Sequence, residues 1–386
     1  MRILGTGKTA LAIKEVYKNA LLYDDSNINE YNKNSDDLTV VSPGMPPSHQ
    51  LVKDTKNLIS EYDLFFDQMP FSVWISGTNG KTTTTRMLQH LLSDYNSLCG
   101  GNIGIPIAQM DTNKDIWILE TSSFTLHYTN KAKPNIYVLL PVSDDHLSWH
   151  GTYNEYEKSK LKPLKFMTQD DIAIIPAKFR YIKTEAKVVY YNTSFDIEKE
   201  YNINRDEVNY KEPFLMDAIL ALAVSKIIIN KIDYNLINSF IQDPHKLEEF
   251  RDLKNRLWVD DSKATNIDAT IQALKIYKEK KIFLILGGDV KGVNLNPLFE
   301  EMKNYDISLY LIGQNINKLY KLSTLHNIQS VKSYYLKDAV KEIKNANNYC
   351  ANNVCLLSPA AGSLDQFSSY KERGEKFKEF VYSHLN

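Results

Sequence analysis

The residues with the plainest chemistry are Gly77, Thr78, Asn79, Gly80, Lys81 and Thr82, with Thr83 next in line. They follow the apolar run FSVWIS, and a helical pattern opens at the threonines. Backbone N–H groups of such a loop, with a helix start behind it, point at phosphate oxygens. Lys81 would reach the β- and γ-phosphates of a nucleoside triphosphate, and the Thr82 hydroxyl would face magnesium. The strict pattern carries a further glycine where Ile75 and Ser76 stand. A tight strand–helix turn with an exposed lysine is the alternative. Strand, glycine spacing and Gly-Lys-Thr together favour the phosphate site.

A second Gly-Lys-Thr lies at the chain start, where Gly5, Thr6 and Gly7 follow the short apolar run RIL. These glycines sit too near the start for a full phosphate cradle. They fit the first turn of a dinucleotide-type fold, with Asp24 and Asp25 ending the next strand where a carboxylate would meet a nucleoside. A purely structural turn is an equal alternative. The expectation is ATP at the second loop and a different nucleotide at the first.

Carboxylates close other strands. Glu120 ends IWILE, and Asp144, Asp145 and His146 follow IYVLLPV. Magnesium takes oxygen ligands, often one or two carboxylates plus phosphate, so Glu120 or either aspartate would suit. His146 and His150 stand at a helical spacing open to zinc, but no third ligand lies close in sequence. Lys158, Lys160, Lys162 and Lys165 have the look of a solvated helix face.

These groups need a scaffold. The chain, at 386 residues, exceeds one ordinary core, so two or three domains are expected. Its 46 basic residues nearly cancel 47 acidic ones, which argues against nucleic acid as a partner. Cys99, Cys350 and Cys355 form neither a disulfide framework nor a metal spacing, which points to a reducing compartment. The longest apolar runs fall far short of a membrane span, and the N-terminus lacks the apolar segment of a signal peptide. A cytoplasmic protein without a membrane partner is expected.

Strands alternate with helices in three series, which predicts parallel sheets throughout. The first holds RIL, ALLYDD and LTVVSPG, with a helix from about Thr9. The second holds FSVWIS, IWILE, IYVLLPV, DIAIIP and KVVYYN, closed by the helix FLMDAILALAVSKIII. DPHKLEEF reads as a linker, and RLWVDD, KIFLILGG, ISLYLIG and VCLLS form the third series. Nearly every polar or glycine-rich cluster falls just after a strand, where open α/β sheets bind ligands.

Taken together, VVSPGMP, SGTNGKTTT, GGNIGIP, ETSSF, DDHLSWH, YEKSK, DDSKATN, LGGDVKG and LLSPAAGSLDQF with RGEKF after it resemble the Mur ligase family, in the family's order and over almost the whole chain. DSKATN and SPAAGSLDQF resemble its D-glutamate-adding members. The resemblance implies an α/β fold of three domains. These are a Rossmann-like UDP-substrate domain (1–68), a central P-loop ATPase-type domain (69–241) and a Rossmann-like D-glutamate domain (242–386). It implies ATP-dependent addition of D-glutamate to UDP-N-acetylmuramoyl-L-alanine through an acyl phosphate, in peptidoglycan precursor synthesis, by a monomer.

The same resemblance assigns residues. Glu120 and His146 would ligate magnesium, of which two ions are expected, together with Thr82 and Lys160. Lys160 would carry a carbamate. Lys81, Glu120, His146 and Lys160 would be catalytic. Asp217, Lys246 and Asp261 would join the phosphate loop in holding ATP. Gly5, Thr6, Gly7, Asp25, Ser42, Pro43 and Gly44 would take the UDP moiety. Asn102 and Ser122 would touch substrate in the central domain, and Lys263, Thr265, Lys291, Ser363 and Tyr370 would line the D-glutamate cleft. Lys246 stands where the family has arginine, Asp217 and Asp260 where it has asparagine, and Tyr370 where it has phenylalanine. Two rivals remain: a related ligase with another amino acid, and a nucleotide-dependent switch without ligation.

Overall fold

The computed structural model describes residues 1–290, 292–346 and 349–383. The chain folds as two compact units, one of Met1–Val142 with Trp149–Phe240, the other of Ser143–Ser148 with Ile241–Asn386.

The first unit carries two parallel sheets. The smaller is four-stranded, with β1 (Arg2–Leu4), β2 (Leu21–Tyr23), β3 (Thr39–Val41) and β4 (Leu58–Ile59) in the order β2-β1-β3-β4. The larger is six-stranded, from β5 (Phe71–Ser76), β6 (Ser97–Gly101), β7 (Ile116–Glu120), β8 (Ile136–Leu139), β9 (Ile172–Pro176) and β10 (Lys187–Tyr191), in the order β10-β9-β8-β5-β7-β6. Because all of these strands run parallel, the loops after β5, β6, β7 and β8 leave one edge of the sheet. Its central strands are buried apart from Phe71 at the start of β5, as a sheet covered on both faces requires. The helix Phe214–Ile229 is apolar on every side and packs into this core, against the helix Lys81–Leu91.

The two sheets share a core, in which Ile3 and Val40 join Trp74 and Trp117. A carboxylate adds a polar tie. Asp63 accepts from the backbone N–H groups of Asn130, Lys131 and Ala132 at 2.7, 2.8 and 2.8 Å. That fastens the helix Glu61–Phe65, capped by Ser60, to the loop after the helix Ser123–Tyr128.

The second unit holds a six-stranded sheet of β11 (Glu248–Arg251), β12 (Leu257–Asp260), β13 (Ile282–Gly287), β14 (Ile307–Ile312), β15 (Ser330–Tyr334) and β16 (Val354–Leu357), ordered β11-β12-β16-β13-β14-β15. Here two expectations are corrected. The stretch DPHKLEEF is not all linker, since β11 begins within it, and β11 pairs antiparallel to β12, so the sheets are not parallel throughout. A four-residue segment between two glycine-free turns can reverse and pair locally, with no helical crossover.

Candidate active site

The loop from Gly77 to Lys81 is shaped by two glycines at positions where a side chain would be strained and would clash. Gly77 has φ +147° and Gly80 has φ +82°, the left-handed region where side chains are strained. A Cβ on Gly77 would also run into Leu140, and one on Gly80 into the Asp217 carboxylate. The helix Lys81–Leu91 starts at once behind the loop. Lys81 folds back along it, its Nζ donating to the Gly77 and Thr78 carbonyls at 2.9 and 2.7 Å.

Lys160 reaches the same place from the helix Tyr153–Leu161. Its side chain is buried, Nζ donates to the Gly77 carbonyl at 2.7 Å, and it lies 4.7 Å from the centre of the Tyr156 ring. The solvated-face reading fails for this lysine, whereas Lys158 is exposed and paired with Glu155. Tyr156 also meets the Thr78 hydroxyl at 2.9 Å, so one ring orients both the lysine and the loop. Two ammonium groups thus converge on the Gly77 carbonyl, an arrangement that an anion would stabilise.

Glu120 is buried at the end of β7. Its Oε1 accepts from Asn102 Nδ2 at 2.7 Å, while Oε2 is buried with no hydrogen-bond partner among the described residues. A buried carboxylate oxygen without a donor is costly unless a cation or water completes it. The donor set, a carboxylate oxygen with threonine hydroxyls at the head of the nearby helix, fits magnesium. Ser122 caps the helix Ser123–Tyr128, its Oγ accepting from Thr125 N at 3.0 Å. Asp217 is buried and accepts from the Thr84 hydroxyl at 3.0 Å, tying two helices together beneath the loop.

At the edge of the smaller sheet Gly5 has φ +95° and packs on Ser42, while Gly7 is exposed with an ordinary φ of −72° and starts the helix Lys8–Val16. The structure therefore brings Gly5, Thr6, Gly7 and Ser42 to one edge, with Thr6 beside Asp24 at 3.4 Å. Pro43 and Gly44 follow Ser42 directly. Asp25 is largely exposed and bonded to His49 Nε2 at 2.9 Å.

In the second unit Asp261 follows β12 directly and is buried. Burial pushes its carboxyl up to about 8, against the Ser358 hydroxyl at 2.7 Å, which holds the charged form. Arg373, buried in the helix Tyr370–Tyr382, clasps two loops at once. It donates to Ser262 Oγ at 2.9 Å and to the Ser262 carbonyl at 2.7 Å, and to the carbonyls of Ala361 and Gly362 at 3.2 and 3.3 Å. DSKATN and SPAAGS are thereby held side by side. Lys263 lies over the Tyr370 ring at 5.5 Å, Thr265 is half-buried and Ser363 is buried. Lys246 lies 3.5 Å from Asp243. Lys291 lies outside the described residues. His146 takes φ +53° and contacts its neighbour Asp145, so it precedes the helix Leu147–His150 and is not paired along it with His150, which bonds Ser123 Oγ at 3.0 Å. The helical zinc spacing is thus not realised.

The family profile described as the Mur ligase middle domain matches residues 75–240. Proteins named UDP-N-acetylmuramoylalanine–D-glutamate ligase from Campylobacter jejuni and Helicobacter pylori are 48% and 45% identical to this chain, each over 98% of both sequences. The chain belongs to the Mur ligase family. Solved Mur ligases share its fold. The MurF ligase of Thermotoga maritima in complex with ADP matches with a TM-score of 0.62 at 15% identity, over 98% of this chain and 93% of that one. MurC from the same organism matches with a TM-score of 0.57 at 13% identity, over 98% of both chains.

In this Mur ligase Arg373, within the stretch RGEKF, and Asp63 are functional side chains to which the sequence pattern assigns no role. An arginine among charged helix residues carries no local sign that it will be buried. Asp63 did have one, since Ser60 three residues ahead forms a capping box that marks a helix start.

Proposed function

We propose that the chain is an ATP-dependent amide ligase that adds D-glutamate to UDP-N-acetylmuramoyl-L-alanine during peptidoglycan precursor synthesis. The observation that carries this is the convergence of Lys81 and Lys160 on the Gly77 carbonyl of the phosphate loop, in a chain whose relatives of similar length bear that enzyme's name.

The γ-phosphoryl group of ATP passes to the terminal carboxylate of the UDP substrate, giving an acyl phosphate and ADP. The amine of D-glutamate attacks the acyl carbon, a tetrahedral intermediate forms and loses a proton, and phosphate leaves as the amide closes. Gly77 to Thr83 hold the triphosphate with backbone N–H groups, and Lys81 neutralises the charge that builds on the transferring group. Glu120, Thr82, His146 and a modified Lys160 would hold magnesium, two ions in all, which supplies charge neutralisation on the phosphates when bound. Loss of a proton from the Lys160 ammonium and addition of carbon dioxide to the resulting amine, with release of a second proton, would give a carbamate. That exchanges the second ammonium at Gly77 for an anion.

Residues 1–68 take the UDP moiety through Gly5, Thr6, Gly7, Asp25, Ser42, Pro43 and Gly44. Residues 69–241 hold ATP and present Asn102 and Ser122 to the acyl acceptor. Residues 242–386 bind D-glutamate through Lys263, Thr265, Lys291, Ser363 and Tyr370, with Lys246 and Asp261 on the nucleotide. Asp217, tied to Thr84, supports the loop from behind and can accept from an adenine amino group. The enzyme acts as a cytoplasmic monomer; among the described residues no helix is long and apolar enough to cross a membrane.

Phosphate release from ATP, magnesium and the UDP substrate, with D-glutamate, L-glutamate, glycine, L-lysine or meso-diaminopimelate in turn, tests the reading. Release that needs both the UDP substrate and D-glutamate is expected. Release with another amino acid would discard the substrate, and release indifferent to all would discard the ligase.

A further inference from the structure

A dense ionic cluster lies in the second unit, at the turn that leads into β11. His245 and Leu247 both have left-handed backbones, φ +67° and +51°, a conformation L residues adopt only when held there. Lys246 sits between them. What holds the turn is the pair of neighbouring carboxylates at the end of β12, which point to opposite sides as strand alternation dictates. Asp260 meets His245 Nδ1 at 2.7 Å, with both side chains buried, and Asp261 accepts from Leu247 N at 3.3 Å.

The grip is closed on every side. Lys263 N donates to the His245 carbonyl at 3.1 Å, and Ser262 N to the other Asp260 oxygen at 3.0 Å. Glu248 Oε2 accepts from His245 N at 3.1 Å and from Lys378 Nζ at 2.6 Å, and Lys378 lies 3.8 Å from Asp260. Gly374 lets the imidazole and carboxylate close over it, since a Cβ there would strike both. His245, Glu248 and Asp260 offer ligand atoms within 4.8 Å of one another, but the Lys378 ammonium already serves as their cation, which argues against a metal.

We propose that His245 and Asp260 form a positioning pair for Lys246: by locking the turn in its left-handed path they fix the direction in which that lysine leaves it. The inference rests on the reading of Lys246 as an ATP contact. Neither His245 nor Asp260 needs to touch ATP. The negative charge of Asp260 is not the essential property. An amide at that position would accept from Ser262 N and donate to a neutral imidazole.

The test is steady-state kinetics with ATP varied and the other substrates saturating, on the full chain. Asp260→Ala and His245→Ala are expected to raise the ATP KM about tenfold with kcat within about twofold, and Asp260→Asn to stay within about threefold of the parent. His245→Ala added to Lys246→Ala should raise the ATP KM no further, because a residue acting through Lys246 has nothing left to aim. Thermal unfolding of each variant identifies any that fails to fold. Should Asp260→Ala be one, the His245→Ala cycle and the Asp260→Asn rescue decide. An ATP KM unmoved by His245→Ala, effects of His245→Ala and Lys246→Ala that multiply, or Asp260→Asn as impaired as Asp260→Ala would each overturn the proposal. If Lys246→Ala itself leaves the ATP KM unchanged, the underlying assignment of Lys246 fails first, and that outcome is read separately.

Discussion

The loops GTGKT, from Gly5, and GTNGKT, from Gly77, look alike in sequence and fold differently. In the second, the glycine before lysine has φ +82° and Lys81 curls back onto its own loop. In the first, the glycine before lysine has φ −72° and Lys8 leaves the loop to donate to the Gly104 carbonyl. The triad Gly-Lys-Thr therefore does not define a phosphate cradle. The backbone path separates the two loops: the glycine immediately before the lysine is left-handed in the second and not in the first, and a left-handed residue there turns successive N–H groups towards one point.

The largest expected difference lies in the lysines. Lys81→Ala should lower kcat about 10³-fold, whereas Lys8→Ala should leave the ATP KM within about twofold, both read from phosphate release. Equal losses would erase the distinction between the loops. Lys160→Ala comes next, with a loss of about 10²-fold that added bicarbonate does not restore, since the acceptor amine is gone. Full activity in that variant would remove the carbamate from the mechanism.

Stability sharpens the same contrast. Gly80→Ala meets both a positive φ and the Asp217 carboxylate, and should cost about 2–5 kcal/mol in urea unfolding. Gly7→Ala, at an exposed helix start with ordinary φ, should cost about 1 kcal/mol.

The segment that Lys8 grips has a second anchor, the buried carboxyl of Glu61, which accepts from Ile107 N at 2.6 Å. Burial raises that group from 4.5 to about 7. A raised acid contributes stability below its unfolded value and loses it as pH climbs through the folded one. The parent should therefore lose about 3 kcal/mol from this group between pH 4.5 and 7, and Glu61→Gln should flatten that slope. Parallel unfolding curves at pH 5 and 8 for parent and variant would show the group is not buried in solution.

Legibility in the sequence followed burial. The central strands, such as FSVWIS and IFLILG, announced themselves as apolar runs because both their faces are covered. The strands that were not recognised, β4, β6, β11 and β15, all lie at the ends of their sheets. An edge strand is half-solvated, so SLCGG and SVKSY carry no apolar run to betray them. Among site residues, Gly77, Gly80 and Glu120 were legible because their type and place after a strand are local properties. Arg373 and the buried Lys160 were not legible from charge pattern alone.

By itself the sequence determined where the central strands end, which glycines open the loop after β5, and which family's motifs run along the chain. It could do so because backbone freedom at glycine, strand periodicity and motif order are written in residues close to one another. Only the tertiary structure decided which of two similar loops curls around its lysine, which lysine of YEKSK is buried, and how Asp260 and Asp261 seize the turn around Lys246. Those outcomes depend on partners distant in the chain: Lys160 finds the Gly77 carbonyl across 83 positions, and Arg373 finds Ser262 across 111. A charge learns whether it is solvated only when the fold brings its neighbours to it.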